Sequence, residues 1–429
     1  MAGSQNVHDP QLNFMQPVTT LRPVSQVLEG QSGKETGSAR VPTFSSADYA
    51  VNTYLQAWVS LQVVATVLWV AFTCYGSVAK AWQAARGIQA KMRRGFGQPQ
   101  RRRIARVDGK YYLGMYMPSF PSAAYRAHIR TELNKVIPHQ HQVNRLQAIQ
   151  LAITSKCPLR CEHCFEWHNL NLVDPFSPED LKQLIHAFQE EGCTQLYFTG
   201  GEPMVRMRRL EELIRYASPR SECWVLTSGQ NLTRDNAMRL KAAGCTGVSI
   251  SLDHFDSDAH NFFRGSDDAF EAAIRAIRHA NEAKLVTAFS ICLTRSFVNE
   301  ENLNRYMALA KNCGAVYVQM LEPKAVGHYE GKEVFLTKPQ TDLLDDFYLR
   351  INYDPQYRDY PLIIYHGYHQ RQMGCISGGN WSLYIDSAGF INACTFCHSH
   401  QYHAKDILSG ALRVDQLQMG GCPSRVTVA

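Results

Sequence analysis

From residue 147 to residue 325 six apolar runs of strand character alternate with five amphipathic stretches of helical period. The strand-like runs fall at about 147–154, 194–198, 222–227, 246–252, 285–293 and 315–321, and helical stretches follow at about 177–191, 206–217, 233–243, 267–283 and 299–312. Ser177-Pro178-Glu179-Asp180 opens the first helix with a serine cap, a proline in the first turn and two acids at the positive helix end. Successive strand–helix units need parallel strands joined by crossover helices. The expected fold class is therefore α/β: a parallel sheet with helices outside it, curled into a whole or partial (β/α)6 barrel. An open doubly wound sheet is the alternative. In both, chemistry gathers at the C-terminal ends of the strands, so the informative residues stand just after each strand.

After the first strand comes Cys157-Pro158-Leu159-Arg160-Cys161-Glu162-His163-Cys164. Three thiolates on one loop can grip one metal centre. Zinc would want a fourth ligand, which His163 or His168 could supply, whereas an iron–sulfur cube held by three cysteines keeps one iron open. After the second strand stands Thr199-Gly200-Gly201-Glu202-Pro203. Paired glycines allow a close backbone approach, and the carboxylate can accept from an ammonium group. After the fourth, Ser249, Ser251 and Asp253 alternate and so share one face, and Arg264 offers a fork for a carboxylate. Together these suit an amino acid with a ribose attached, held beside a metal cluster.

Cys-x3-Cys-x2-Cys, Gly-Gly-Glu-Pro and Ser-x-Ser-Leu-Asp, in this order, resemble the radical S-adenosylmethionine (radical SAM) superfamily over roughly residues 147–325. The resemblance implies that Cys157, Cys161 and Cys164 bind a [4Fe–4S] cluster whose open iron chelates the methionine end of S-adenosylmethionine. It implies that Gly200, Gly201 and Glu202 receive the methionine amino group, and that Ser251 and Arg264 contact ribose and carboxylate. Thr227-Ser228-Gly229 looks like the family's Thr-Asn-Gly with the middle residue replaced, which makes Ser228 a pocket candidate. His163 stands where the family often has an aromatic residue beside the adenine. The implied reaction is reductive cleavage of S-adenosylmethionine to a 5′-deoxyadenosyl radical that abstracts a hydrogen atom. Its electron donor would be a low-potential protein such as ferredoxin or flavodoxin. A radical needs no general base to start, so no side chain is assigned as catalytic acid or base.

A second cysteine group, Cys375, Cys394, Cys397 and Cys422, surrounds a strand and tight turn at 381–389. It resembles the SPASM and Twitch auxiliary-cluster extensions, without the full seven-cysteine pattern of SPASM. One auxiliary [4Fe–4S] cluster is expected, with zinc as the alternative because His398, His400 and His403 follow closely. Cys74, Cys193, Cys223, Cys245, Cys292 and Cys313 read as inert thiols. Gln319 and Glu322, at the end of the sixth strand, face either the substrate or neighbouring loops.

The N-terminal region is of another kind. Residues 1–47 are rich in Gln, Ser, Thr, Pro and Gly and read as a disordered tail. From Tyr49 to Ala79 there is no charged residue. At 1.5 Å per residue, Tyr54 to Gly76 reaches roughly 34 Å, enough to cross a hydrocarbon core, so residues 48–79 are expected to form a transmembrane helix. Residues 80–106 hold nine basic residues and no acidic one; the net charge of +6 leaves the rest of the chain at +6 − 9 = −3. Positive charge stays inside, which predicts a single-pass membrane protein with its catalytic domain in the cytoplasm. Because the basic excess is confined to this segment, no nucleic-acid partner is expected.

The expected organisation is then a tail (1–47), a transmembrane helix (48–79), a basic juxtamembrane segment and linker (80–146), a radical SAM barrel (147–325) and a SPASM/Twitch-like extension (326–429). The leading reading is a membrane-anchored radical SAM enzyme acting on a peptide or protein, as family members with such extensions often do. Anchoring in the bilayer makes a lipid or lipid-linked substrate the alternative. A zinc-stabilised membrane adaptor without catalysis is the non-enzymatic one.

Overall fold

The structure, a computed structural model, describes residues 53–96, 103–139, 146–375, 379 and 381–419. The expected tail at 1–47, Arg101 and Arg102 of the basic segment, and the candidate ligand Cys422 lie outside the described residues.

Two helices come first, α1 (Thr53–Tyr75) and α2 (Val78–Phe96), joined by a short turn at Gly76 and Ser77. Residues Tyr54–Tyr75 are long and apolar enough to cross a membrane by length and composition. A hairpin follows, with β1 (Ala105–Val107) antiparallel to β2 (Lys110–Tyr112), and then α3 (Ala123–Val136), whose cap Ser122 accepts from the Tyr125 amide. This stretch is not the linker that its sequence suggested. Arg103, one of the nine basic residues, turns inward and donates to the carbonyls of Ile351, Tyr357 and Tyr360 at 2.7–2.8 Å. Burial pushes its guanidinium down to about 10. Val107, Tyr112 and Met115 join one apolar cluster with Tyr197, Trp224, Val286, Tyr317 and Leu362. The Tyr197 hydroxyl and the Gln195 amide donate to the Met115 carbonyl at 2.9 and 3.2 Å. Burying each such side chain is worth roughly 1.5–3 kcal/mol. Because Gln195, Val286, Tyr317 and Leu362 stand at strand starts, the hairpin plugs the N-terminal end of the sheet.

Strand and helix then alternate through β3 (Ala148–Ala152), α4 (Pro178–Glu190), β4 (Gln195–Thr199), α5 (Met207–Ala217), β5 (Glu222–Thr227) and α6 (Arg234–Ala243). They continue through β6 (Cys245–Ser251), α7 (Ser257–Arg264), α8 (Ala269–Glu282), β7 (Val286–Cys292), α9 (Glu300–Asn312) and β8 (Tyr317–Leu321). The six expected strands are present and pair in sequence order, all parallel. Helix α4 begins with the expected serine cap, and the structure adds that Ser177 and Asp180 cap each other reciprocally.

The C-terminal region carries α10 (Lys338–Tyr353), β9 (Leu362–Tyr365), α11 (His366–Met373), β10 (Ser382–Ile385), β11 (Phe390–Asn392), β12 (Tyr402–His403) and α12 (Ala404–Leu408). Here the sheet departs from expectation. Strand β9 adds parallel to β8 and β10 adds parallel to β3, giving the order β12-β11-β10-β3-β4-β5-β6-β7-β8-β9. A boundary at residue 325 therefore divides a single sheet: the C-terminal segment supplies both outer parallel strands. Residues of β3 and β9, far apart in strand order, meet the same plug cluster, so the sheet is curled rather than flat. The α/β class stands, and the C-terminal ends of the parallel strands converge on one mouth.

Candidate functional site

The loop after β3 carries the first cysteine group and is fastened from several sides. The Asn171 side chain accepts from the Cys157 amide at 3.1 Å and donates to the Cys157 carbonyl at 3.2 Å. The Arg160 and Glu162 amides donate to the carbonyls of Arg264 and Phe263, at the end of α7. The His328 amide donates to the Cys164 carbonyl at 2.9 Å, and its ring Nδ1 lies 3.2 Å from the Cys161 carbonyl. Gly327 makes this possible: its φ is +58°, and a Cβ there would stand 2.3 Å from the Cys164 oxygen. The Trp167 and His328 rings stack at 3.8 Å.

The three thiols are free. Burial pushes Cys157 and Cys164 up to about 12, and it raises Cys161 against the pull of Arg264. Among the described residues no three Cys, His, Asp or Glu side chains are already gathered at metal-binding distance. What fits a cluster is the donor set, three soft ligands on one loop with no competing disulfide.

The Gly200-Gly201 turn lies directly against the residues preceding Cys157. The Gly201 and Glu202 amides donate to the Thr154 and Lys156 carbonyls at 2.8 Å. A Cβ on Gly200 or Gly201 would stand 2.2 or 2.4 Å from those oxygens, so here the glycines serve an approach of backbone to backbone. Glu202 is buried and accepts from Thr227 Oγ1 (2.6 Å), Ser228 Oγ (2.6 Å), the Ser228 amide (2.7 Å) and the Met204 amide (3.0 Å). Burial raises its carboxyl. A carboxylate offers about four acceptor positions, and these four donors fill them. Glu202 thereby ties the turn after β4 to the turn after β5. Ser228 is spent on the same tie.

Arg264 is paired within the protein. Its Nε and Nη2 hold Asp253 Oδ2 at 2.7 and 2.5 Å, both side chains are buried, and Nη1 lies 3.5 Å from Cys161 Sγ. Burial opposes the Asp253 charge, but Arg264 keeps that carboxyl below its usual range. Asp253 is set in turn by the Cys292 amide on Oδ1 and by its own amide donating to His260 Nδ1. Ser249 and Ser251 occupy the same face of β6. The buried Ser249 hydroxyl and His163 Nδ1 have no partner among the described residues, and the His163 ring stacks on Phe263 at 4.8 Å. Burial pushes His163 down to about 4, so it is neutral near pH 7. Two unpartnered buried polar atoms at this end of the barrel fit a polar ligand there.

The second cysteine group forms a turn beside the first. The Cys397 amide donates to the Cys394 carbonyl at 3.2 Å, and the Phe396 amide approaches Cys394 Sγ at 3.4 Å. Cys394 is drawn down to about 7, chiefly by a hydrogen bond from Cys397. Cys375, just past α11, is half-buried. Glu166 links the two groups: it accepts from the Tyr384 hydroxyl and from the Ser387 amide and hydroxyl, while Phe165 meets Tyr384 and Phe396 edge-on. Of the three histidines of the zinc alternative, His400 packs its ring on Phe390 at 4.4 Å and the other two bond to backbone groups. His398 Nε2 faces the Thr395 carbonyl, and His403 accepts from the Lys405 amide on Nδ1 with Nε2 toward the Ala388 carbonyl.

Gln319 and Glu322 both bond to neighbours, Gln319 to the Tyr116 hydroxyl, Glu322 to Tyr365 (2.7 Å) and Arg371 (2.5 Å). Sequence reasoning missed His366, which follows β9 and faces the Tyr116 ring at 4.6 Å, and Trp381, 5.9 Å from Tyr116. Their only signal was an aromatic-rich composition.

Residues 151–310 match the Radical SAM superfamily. An AdoMet-dependent heme synthase of Nitratidesulfovibrio vulgaris is 32% identical over 203 residues, 46% of this chain and 54% of that relative. A GTP 3′,8-cyclase of Mycolicibacterium smegmatis is 37% identical over 116 residues, 25% of this chain and 32% of the relative. The chain thus spans about half the length, or less, of these curated relatives. Streptococcus suis SuiB bound to precursor peptide SuiA shares the fold with a TM-score of 0.52 at 14% identity, over 76% of this chain and 75% of that one. The matched segment is a radical SAM domain, of a superfamily of enzymes whose cofactors are a [4Fe–4S] cluster and S-adenosylmethionine.

Proposed function

We propose that the chain is a radical SAM oxidoreductase or maturase acting on a peptide or protein, in which Cys157, Cys161 and Cys164 hold the catalytic cluster. The observation that carries this reading is the adjacency of the cysteine loop and the Gly200-Gly201 turn, laced together through Thr154 and Lys156 at the mouth of the barrel. When bound, the reduced cluster and S-adenosylmethionine supply a 5′-deoxyadenosyl radical able to take a hydrogen atom from an unactivated C–H bond. The protein's part is positional. Glu202 locks two turns, Asp253 aims Arg264 at the Cys161 sulfur, and His163 and Ser249 offer buried polar atoms to the nucleotide. Plugging the far end of the barrel with Met115 and Tyr112 shields the interior from water.

Cys375, Cys394, Cys397 and Cys422 are proposed to hold one auxiliary [4Fe–4S] cluster in a SPASM/Twitch-like arrangement. The expectation of an iron–sulfur cluster on the first loop of the same chain favours an iron–sulfur centre over a zinc Cys/His site. The peptide or protein substrate rests on the resemblance to auxiliary-cluster maturases. A lipid or lipid-linked substrate is the second reading, favoured by the apolar helix α1. Anaerobic purification with iron and sulfide counting tests the cofactor set. Two cubanes are expected, one lost with the Cys157/Cys161/Cys164 alanine variant and the other with the Cys394/Cys397 variant. Colourless protein containing only zinc contradicts the proposal.

A further inference from the structure

Helix α1 does not stand apart from the rest of the protein. Its Val59, Val70 and Ala71 are buried in one cluster with Ala81, Ala84 and Ile88 of α2 and with Tyr125, Ile129 and Leu133 of α3. The Tyr75 hydroxyl donates to the Leu133 and Ile137 carbonyls at 3.0 and 2.6 Å. The opposite side of α1 is apolar and bare. Of the sixteen large apolar side chains exposed among the described residues, eight lie between Tyr54 and Trp82, including Trp58, Leu61, Val64, Trp69 and Phe72. That is the reverse of a soluble surface helix. The polar residues of α1 do not interrupt this side: Gln62 and Thr66 are half-buried, and the Ser60 and Thr73 hydroxyls donate back to the Gln56 and Val70 carbonyls.

A perpendicular span conflicts with this packing. Helix α2 returns along α1, so a crossing α1 would either shed the shared cluster or draw Arg86 and Lys91 into hydrocarbon, at roughly 2.5–3.5 kcal/mol for each charge near the centre. We propose instead that α1 lies in the plane of an anionic bilayer, with its Trp58–Phe72 face among the acyl chains and α2 beside it at the headgroups. This deepens the membrane part of the reading above and is independent of the catalytic part. Charge complementarity selects the occupant. Between Tyr49 and Val107 there are nine basic residues and no acidic one; Arg103 turns inward and Lys91 pairs with Glu132 of α3, while Lys80 and Arg86 are exposed. Trp82 and Arg86, one turn apart on α2, are both exposed, pairing an apolar and a basic anchor.

Two measurements on the full-length chain test this. Epitope tags at both ends, probed by protease on sealed membrane vesicles of each orientation, should be digested from the same side; digestion from opposite sides overturns the proposal in favour of a single span. Purified protein should float with vesicles of phosphatidylcholine plus phosphatidylglycerol, at least ~10-fold better than with phosphatidylcholine alone, in a salt-sensitive way. The variant Trp58→Glu/Leu61→Glu/Phe72→Glu should lose flotation while keeping its iron content and 5′-deoxyadenosine formation. A wild type that ignores both vesicle types, or self-associates through this face, overturns the proposal and leaves the catalytic reading standing.

Discussion

The two cysteine loops lie side by side, yet the protein holds them differently. The loop of Cys157, Cys161 and Cys164 is clamped by Asn171, by the end of α7, by Gly327 and His328 and by the Gly200-Gly201 turn, so its backbone is set before any metal arrives. The turn of Cys394 and Cys397 is a short bridge held through Asp386, whose carboxylate takes the Ala388 and Phe390 amides and the Asn392 side chain. Its remaining proposed ligands come from Cys375 and from Cys422, beyond the described residues. A site that must hold a reactive group in one geometry benefits from supports that exist beforehand. A turn that only adds ligands does not need them.

That contrast can be broken by substitution. Replacing Cys157, Cys161 and Cys164 together by alanine should abolish 5′-deoxyadenosine formation and remove one cluster's worth of iron; retained product formation would mean that the clamped loop is not the catalytic one. Asp253→Ala leaves a buried Arg264 unpaired and should cost about 3–5 kcal/mol of stability, read by thermal denaturation. A second readout, the reduction potential of the cluster by redox-titrated EPR, should shift because Arg264 loses its aim at Cys161; an unmoved potential would reduce the pair to a structural one. Glu166→Ala removes the acceptor shared by Tyr384 and Ser387 and should cost about 1–3 kcal/mol. It should also perturb the EPR signals of both clusters, whereas a change confined to one would show that the loops are independent. Cys394→Ala/Cys397→Ala should lower iron content yet leave 5′-deoxyadenosine formation within about threefold, since among the described residues that turn meets the first loop through the Phe396 and Phe165 rings. The smallest effect is expected for Ser249→Ala, within about 0.5 kcal/mol in stability because its hydroxyl has no partner to lose. Weaker S-adenosylmethionine binding by calorimetry would place that hydroxyl on the nucleotide.

The core of this account was legible in the chain. Strand runs with turn and cap residues at their ends located six parallel strands, and the three motifs fell just after strands one and two and at the end of strand four because the sheet delivers them to one mouth. Less was legible wherever a partner far along the chain decides the role of a side chain. The ties of Glu202 to Thr227 and Ser228, and of Arg264 to Asp253, become visible only when the fold brings those residues together. Nothing local in Gly327-His328 announces that it caps a cysteine loop some 160 residues earlier; the need for glycine appears only when the Cys164 carbonyl stands against it. The plug at 105–112 was hidden by length, since strands of three residues carry almost no periodicity. Strand β9, and the pairing of the strand expected at 381–389 (β10) with β3, were hidden by the expectation that the barrel ends with its sixth strand. The partnership of α1 with α2 and α3 escaped because a charge-free run of that length satisfies the transmembrane criterion whatever it packs against.

The central claim is that the clamped three-cysteine loop supports reductive cleavage of S-adenosylmethionine. Its most direct test is to reduce the anaerobically reconstituted full-length protein in the presence of S-adenosylmethionine and measure 5′-deoxyadenosine against a Cys161→Ala control. Accumulation in the wild type and none in the variant is the predicted result. Equal amounts in both, or none from a wild type with its full complement of iron and sulfide, would contradict it.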